Sequence, residues 1–345
     1  MSKNVSKSAE DIDDTQKRFL DRLVQRWNFR IDLHVLCLIL SGLILIIFSL
    51  IGFTWGMPAR WEPDSITKEV IYLYDAHTLE PQSYKYGTFY LYTMLFLSKP
   101  FVSDPGAVTA FFYVPRILNI LLGLGILIMV MQIGNRYRPI VGSLSTLLLS
   151  MTMGFINYIH FEVLDIPMLF FLVLCFLLLL RQKIWWAAVA FGFAVATKQI
   201  AILILPSIAA FTFVEHLSNK PWKTMLQRTA IFGSAGVVLF FVTSPYYLLN
   251  LSKVWALREY TKTTWFLSYR GLEGNIGWIT HPYNLWNMLG PALFFTAILG
   301  IWLAWRERSI LDREVLALLL PYLVLQLFFR MTPMRYLLPL APLLI

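Results

Sequence analysis

Three stretches of this otherwise oily sequence carry groups able to move a proton or hold an anion. "EPDSITKE" carries Asp64, "IHFEVLDIP" carries His160, Glu162 and Asp165, and "VATKQIAI" carries Lys198. A carboxylate beside low-dielectric surroundings becomes a general base once a substrate excludes water, and Asp64 offers that chemistry. The same residue suits a helix N-cap, because "PDSITKE" leads into a helix-forming stretch that continues to Tyr74. Asp165 could likewise cap a helix, with Pro167 in the first turn. A cap needs one polar group, however, and here three fall within six residues on one predicted face.

Lys198 separates two short apolar segments, and a cation fixed at such a turn suits a phosphate or pyrophosphate. The plainer alternative is a lysine that snorkels to the interface. Lys85 and Arg335 offer the same cationic chemistry and the same lipid-anchor alternative, while Tyr336 adds a hydroxyl donor. Arg116 and His281 complete the set of unusual polar groups. The five histidines show no ligand-type spacing, although a divalent metal held by carboxylates stays open. There is no Walker loop, dinucleotide fingerprint or serine elbow. Cys37 and Cys175 fall inside apolar runs and imply neither a disulfide nor a metal.

The elements that must position these groups follow from composition. The chain is 58% hydrophobic and 14% charged, whereas a soluble domain is about half apolar and a quarter charged. Apolar segments run over about 33–53, 86–101, 109–133, 139–156, 166–180, 184–197, 200–214, 229–249, 288–305, 315–329 and 336–345. The expected fold is an all-α polytopic membrane protein with about 10 or 11 membrane segments. Residues 1–31 are polar and lack a cleavable signal, so they read as a cytoplasmic tail ahead of a membrane domain over 32–345. The final "YLLPLAPLLI" stops mid-helix, so further C-terminal helices are expected. The net charge of +9 reads as lysine and arginine gathered in cytoplasmic loops and on anionic lipid, with no nucleic acid implied.

With the tail inside, residues 54–85 form a first external loop. The short segment "YGTFYLYTMLFLSKPF" is expected to dip and return. "GNRYR", "RQK", "NKPWKTMLQR" and "WRERSILDR" then all become cytoplasmic, as the positive-inside tendency requires. Asp64, Lys85, Arg116, His160, Glu162, Asp165, Lys198, His281, Arg335 and Tyr336 all come to the outer face. Ionisable groups near membrane helices are costly and by default mark function. A second external loop over 250–287 is rich in aromatics, suiting either an interfacial belt or a platform for sugar faces.

At these residues the chain resembles the GT-C membrane glycosyltransferases, nearest in pattern to the protein O-mannosyltransferase and aminoarabinose transferase branches, families 39 and 83. "EPDSITKEVIYLYDAHTLEPQSYKYGTFYLY" is similar to that family's first external loop, whose catalytic aspartate falls on Asp64; Ser65 stands where the family has glutamate. "YKYGTFYLY" resembles the stretch whose lysine binds the lipid-linked phosphate, here Lys85, without the family's double proline. "HFEVLDIPMLFF" looks like the second acidic motif, carried onto Asp165. "ATKQIAILILP" resembles the lysine-bearing helical pair, and "RYLLPLAPLL" the arginine-tyrosine-proline helix.

The resemblance implies a GT-C-type helical bundle whose large first external loop carries short interfacial helices. It further implies a polyprenyl-phosphate sugar donor, a hydroxyl acceptor on protein, lipid or polysaccharide, and inverting transfer at the outer or lumenal face. Plasma membrane and endoplasmic reticulum both stay open, with the plasma membrane favoured. Asp64 and Asp165 would be catalytic. Lys85, Lys198, Arg335 and Tyr336 would bind the donor phosphate, with Arg116, His160, Glu162 and His281 in support. Apart from the open question of a divalent metal, no cofactor is implied. A secondary transporter, which would show internal repeats and a midplane site, and a non-catalytic lipid-binding membrane protein are the rival readings.

Overall fold

The computed structural model describes residues 33–55, 57, 65–102, 109–217, 221–257, 277–329 and 333–345, so Asp64 lies outside the described residues. The chain divides into a unit Met1–Leu36, of which only the start of the first helix is described, and a compact unit Cys37–Ile345. Helix is the regular structure throughout the described residues. That is what hydrocarbon demands, because a helix satisfies its own backbone donors and acceptors where water cannot.

After α1 (Leu33–Leu50) come two short helices, α2 (Thr67–Asp75) and α3 (Phe89–Ser98). Helix α2 is amphipathic: Thr67, Val70 and Ile71 are buried at helical spacing, while Lys68 and Asp75 face outward. Its apolar face joins Tyr90, Leu91 and Met94 of α3 in a small separate core, closed by Phe111, Phe112 and Leu164. The ten residues of α3 rise about 15 Å, half of the roughly 30 Å of hydrocarbon in a bilayer.

The main bundle begins with α4 (Ala110–Gly134), followed by α5 (Pro139–Met151), α6 (Met153–Ile159), α7 (Asp165–Leu180) and α8 (Ile184–Thr197). A 3-10 turn, Gln199–Ile204, leads into α9 (Leu205–Leu217), α10 (Trp222–Thr243) and the single turn α11 (Tyr246–Leu249). Next come α12 (Gly277–Leu289), α13 (Pro291–Glu307), α14 (Ile310–Leu327), a 3-10 stretch Met334–Leu340 and α15 (Ala341–Leu344). Helix α7 lies in the centre, with Ile166, Leu169, Leu172, Val173 and Phe176 wholly buried. It packs on α4 and α8, and α8 packs in turn along α10. Apolar side chains also cover the outside, as Val242 and Phe295 show, which suits a surface bathed in lipid.

Among the described residues two helices, α4 and α10, are long and apolar enough to cross a membrane alone. Two bent pairs meet the same test jointly, giving up to four: α5 with α6, bent by 61°, and α12 with α13, bent by 115°. The second bend sits at Gly290, whose φ of +83° only glycine adopts without strain.

Several sequence expectations are corrected by local geometry. Helix α2 starts at Thr67 with Ile66 in the cap position, and Asp64, the cap the sequence suggested, lies outside the described residues. Helix α7 starts at Asp165 itself with Leu164 in the cap position, so the Asp165 carboxylate does not cap it. The segment 139–156 is broken at Thr152, and 229–249 is split at Ser244. The loop read over 250–287 is helical over 251–257 and again from Gly277. Apolar composition alone marks where a chain is oily, and it does not mark where the backbone bends within that oil.

Candidate active site

The first residue of α7 and the residue just after α8 meet in a buried ion pair. Lys198 Nζ donates to Asp165 Oδ1 at 2.7 Å, with Asp165 1% and Lys198 5% exposed. Lys198 adopts an extended conformation between α8 and the following 3-10 turn, and that break turns its side chain into the bundle. Asp165 Oδ2 has no hydrogen-bond partner among the described residues. A carboxylate with one oxygen committed to a cation and the other free suits an incoming hydroxyl donor.

Aromatic rings line the cation. Lys198 Nζ lies 5.8 Å from the Tyr86 ring centre and 5.9 Å from that of Tyr336, and Lys85 Nζ lies 5.0 Å from the Tyr86 ring. Such contacts fix where an ammonium sits without neutralising it. The approach of the 84–88 loop depends on Gly87, where a Cβ would fall 1.9 Å from the Ala196 carbonyl oxygen. Two anchors hold this loop. The Tyr247 hydroxyl donates to the carbonyls of Tyr84 and Tyr86 and accepts from Gln199 Nε2 at 2.7 Å. The Thr88 backbone N–H donates to Ser244 Oγ at 2.9 Å.

Tyr247→Phe should therefore destabilise the protein by about 1–3 kcal/mol, because buried carbonyls lose their donor. Thermal unfolding checks this, and an unchanged midpoint in Tyr247→Phe would show that the hydroxyl does not anchor the loop.

A second buried pair lies at the same end. Arg116 on α4 donates to Glu162 at 3.1 Å and to the carbonyls of Phe53 and Trp55. The Glu162 carbonyl accepts from the Ile66 N–H at 2.9 Å. His160 has Nδ1 2.8 Å from the Ile156 carbonyl and Nε2 2.9 Å from that of Ile51. Asn119 donates to the Phe161 carbonyl at 2.7 Å and accepts from the Tyr90 hydroxyl at 2.9 Å. Arg116, His160 and Glu162 thus clamp the chain at residues 51–55 and at Ile66, on both sides of Asp64 in sequence.

Tyr336, whose ring faces Lys198, belongs to the 3-10 stretch that follows α14. The Tyr322 hydroxyl donates to the Tyr336 carbonyl at 2.7 Å, and Arg335 is half-buried beside it in the same 3-10 stretch. Gln326, one turn beyond Tyr322, is wholly buried, with its side chain beside the Tyr322 hydroxyl. His281 on α12 is also wholly buried, beside the Gln326 backbone. Helix α12 is tied to the end of α14 by the Gly277 N–H, which donates to the Phe329 carbonyl at 2.9 Å. Among the described residues no three His, Cys, Asp or Glu side chains gather as a metal site.

Further out, Glu80 accepts from Asn250 at 2.8 Å, from Tyr84 at 3.2 Å and from Lys253, tying the first loop to the start of the second. The Lys253 hydrogen bond holds the Glu80 carboxyl below its ordinary range. A depressed carboxyl stabilises the fold above its unfolded value and loses that contribution as pH falls through the folded value. Acidification below about pH 4 should therefore loosen this link. Melting curves of the parent chain and Glu80→Gln should differ near neutrality and converge in acid.

Residues 84–333, well over half of the chain, match the sequence model of glycosyltransferase family 87. The chain belongs to that family. With its apolar helices, the family-87 chain is an integral membrane protein, and its fold is of the GT-C type. ArnT from Cupriavidus metallidurans bound to undecaprenyl phosphate superposes with a TM-score of 0.65 at 14% identity, over 88% of this chain and 58% of that one. The Archaeoglobus fulgidus oligosaccharyltransferase in the apo form gives 0.65 at 13% identity, over 92% and 50%. The family-87 chain therefore spans between half and three fifths of the length of those two proteins. No curated protein sequence matches it. Lys85, Arg116, His160, Glu162, Asp165, Lys198 and His281 fall within the family match, whereas Asp64, Arg335 and Tyr336 lie beyond it.

Tyr86, Asn119, Tyr247, Tyr322 and Gln326 join these networks without having stood out among the charged groups of the sequence. Gln326 had a readable signal, being an amide inside the apolar run "YLVLQLFF". Tyr247 had none, because its value lies in meeting carbonyls some 160 residues earlier in the chain.

Proposed function

We propose that this chain is an inverting glycosyltransferase that moves a sugar from a polyprenyl-phosphate donor to a hydroxyl acceptor at the external membrane–water interface. The observation that carries the reading is the buried Asp165–Lys198 pair, flanked by Lys85, Tyr86 and Tyr336 in a family-87 chain. The undecaprenyl phosphate on ArnT, a protein of the same fold, supports the lipid-linked donor.

The acceptor oxygen attacks the anomeric carbon from the face opposite the phosphate. Asp64 takes the hydroxyl proton as the bond forms. The bond from the anomeric carbon to the phosphate oxygen breaks, and polyprenyl phosphate leaves with the electron pair. Lys85, Lys198 and Arg335, with the Tyr336 hydroxyl, stabilise the charge growing on that phosphate. Preorganised cations away from bulk water do this far better than cations in water. Asp165 holds Lys198 in place and keeps its second oxygen for a hydroxyl of the bound substrates. Holding the lipid carrier and acceptor at one interface supplies orientation.

In this reading residues 1–31 are a cytoplasmic tail and 32–345 the transferase domain. The loops 54–85 and 250–287 lie outside, over a bundle of 10 or 11 membrane segments. The protein, incubated with a panel of polyprenyl-phosphate sugars and candidate acceptors, should release free polyprenyl phosphate with one of them. Substrate accumulation in sealed vesicles with the lipid–sugar bond intact would instead establish a transporter.

A further inference from the structure

The turn between α13 and α14 sorts its charges. Glu307 and Asp312 line one cavity, beside Tyr137 and Val141. Asp312 is already committed, closing a capping box with Ser309 at the start of α14. Arg308 and Arg313 line a different groove, of about 400 Å³, between α9, α13 and α14. Apart from those two guanidinium groups its walls are apolar, with Phe213, Trp305, Leu316, Leu320 and Pro321 among them.

Both arginines are held by their inner nitrogens. Arg308 sits at the end of α13 with a left-handed φ of +54°, and its Nε donates to the Trp305 carbonyl at 3.0 Å. Arg313 Nε donates to the Arg308 carbonyl at 2.9 Å. Both side chains are exposed, and among the described residues neither meets a carboxylate. Two exposed arginines, with the Arg308 guanidinium over the Trp305 ring at 5.5 Å, therefore border an oily groove. From Arg313 to Pro321 the wall of α14 extends about 12 Å, room for much of an acyl chain.

We propose that this groove binds an anionic phospholipid, with its phosphate between Arg308 and Arg313 and one acyl chain along α14. A free phosphate would leave the apolar wall unused. A zwitterionic lipid would bring an ammonium toward two fixed cations. The exposed Trp305 at the mouth suits the headgroup level of a bilayer. Basic pockets between membrane helices hold anionic headgroups by this chemistry. The inference rests on the chain's membrane character and is independent of the reaction proposed above.

The test is native mass spectrometry of the detergent-purified protein with equimolar phosphatidylglycerol and phosphatidylcholine of the same chains. The parent chain should retain phosphatidylglycerol over phosphatidylcholine by about tenfold or more, the scale expected when two basic side chains act together. Arg308→Gln with Arg313→Gln should erase that preference. Arg306→Gln should keep it, because Arg306 does not line the groove. Leu320→Trp, which fills the groove and spares both arginines, should lower retention of phosphatidylglycerol and gives a second reading if the double variant does not fold. Equal retention of the two lipids by the parent chain, or an unchanged preference in a folded double variant, would overturn the proposal.

Discussion

Asp64→Asn is expected to bind the lipid-linked donor as the parent chain does and to turn it over about 10²–10⁴-fold more slowly. Asparagine keeps the size and polarity of the side chain but cannot accept the acceptor's proton as its oxygen attacks. The loss should therefore fall on kcat, with donor Kd unchanged, because in the proposed mechanism cations elsewhere hold the phosphate. Arg116, Glu162 and His160 clamp the chain on both sides of this position, so the substitution should leave thermal stability nearly intact. Single-turnover release of polyprenyl phosphate is the direct measurement. Turnover unchanged in a folded Asp64→Asn protein would remove Asp64 as the base.

Lys198→Met should cost both stability and activity. It strands the Asp165 carboxylate in a site where that residue is 1% exposed. Removing one partner of a buried pair costs about 3–5 kcal/mol, since the other charge remains desolvated and unpaired. Replacing both partners at once, Asp165→Leu with Lys198→Met, removes the stranded charge and should recover most of that stability. Activity should not return, because the proposed phosphate-side cation and the free Asp165 oxygen are both gone. Unfolding midpoints and donor turnover, measured on the single and double variants, separate the two roles. If turnover recovered along with stability, the pair would be scaffolding alone.

Asp64 and the Asp165–Lys198 pair differ in how far the sequence reveals them. Asp64 stands out from the sequence, as a carboxylate behind a proline just after the first apolar segment. The Asp165–Lys198 pair joins residues 33 positions apart. Both were conspicuous singly, as charges flanked by oil, but nothing in their spacing says that they meet. The same holds for Arg116 and Glu162, 46 apart, and for Tyr247 against Tyr84 and Tyr86. Gly87 shows why: its close approach to Ala196 depends on where α8 ends, which the loop itself does not encode.

Taken by itself, the sequence determined that this chain is helical and belongs in a membrane, and it pointed to a GT-C glycosyltransferase. Those properties follow from composition, apolar run length and local motifs, which act over a few turns of chain. Only the tertiary structure decided where the helices break, at Thr152, Ser244 and Gly290, and which charges meet inside the bundle. A charge placed in oil is locally legible because its desolvation is unfavourable wherever the helix goes. Which partner offsets that penalty depends on how distant helices pack, and packing is a property of the whole chain.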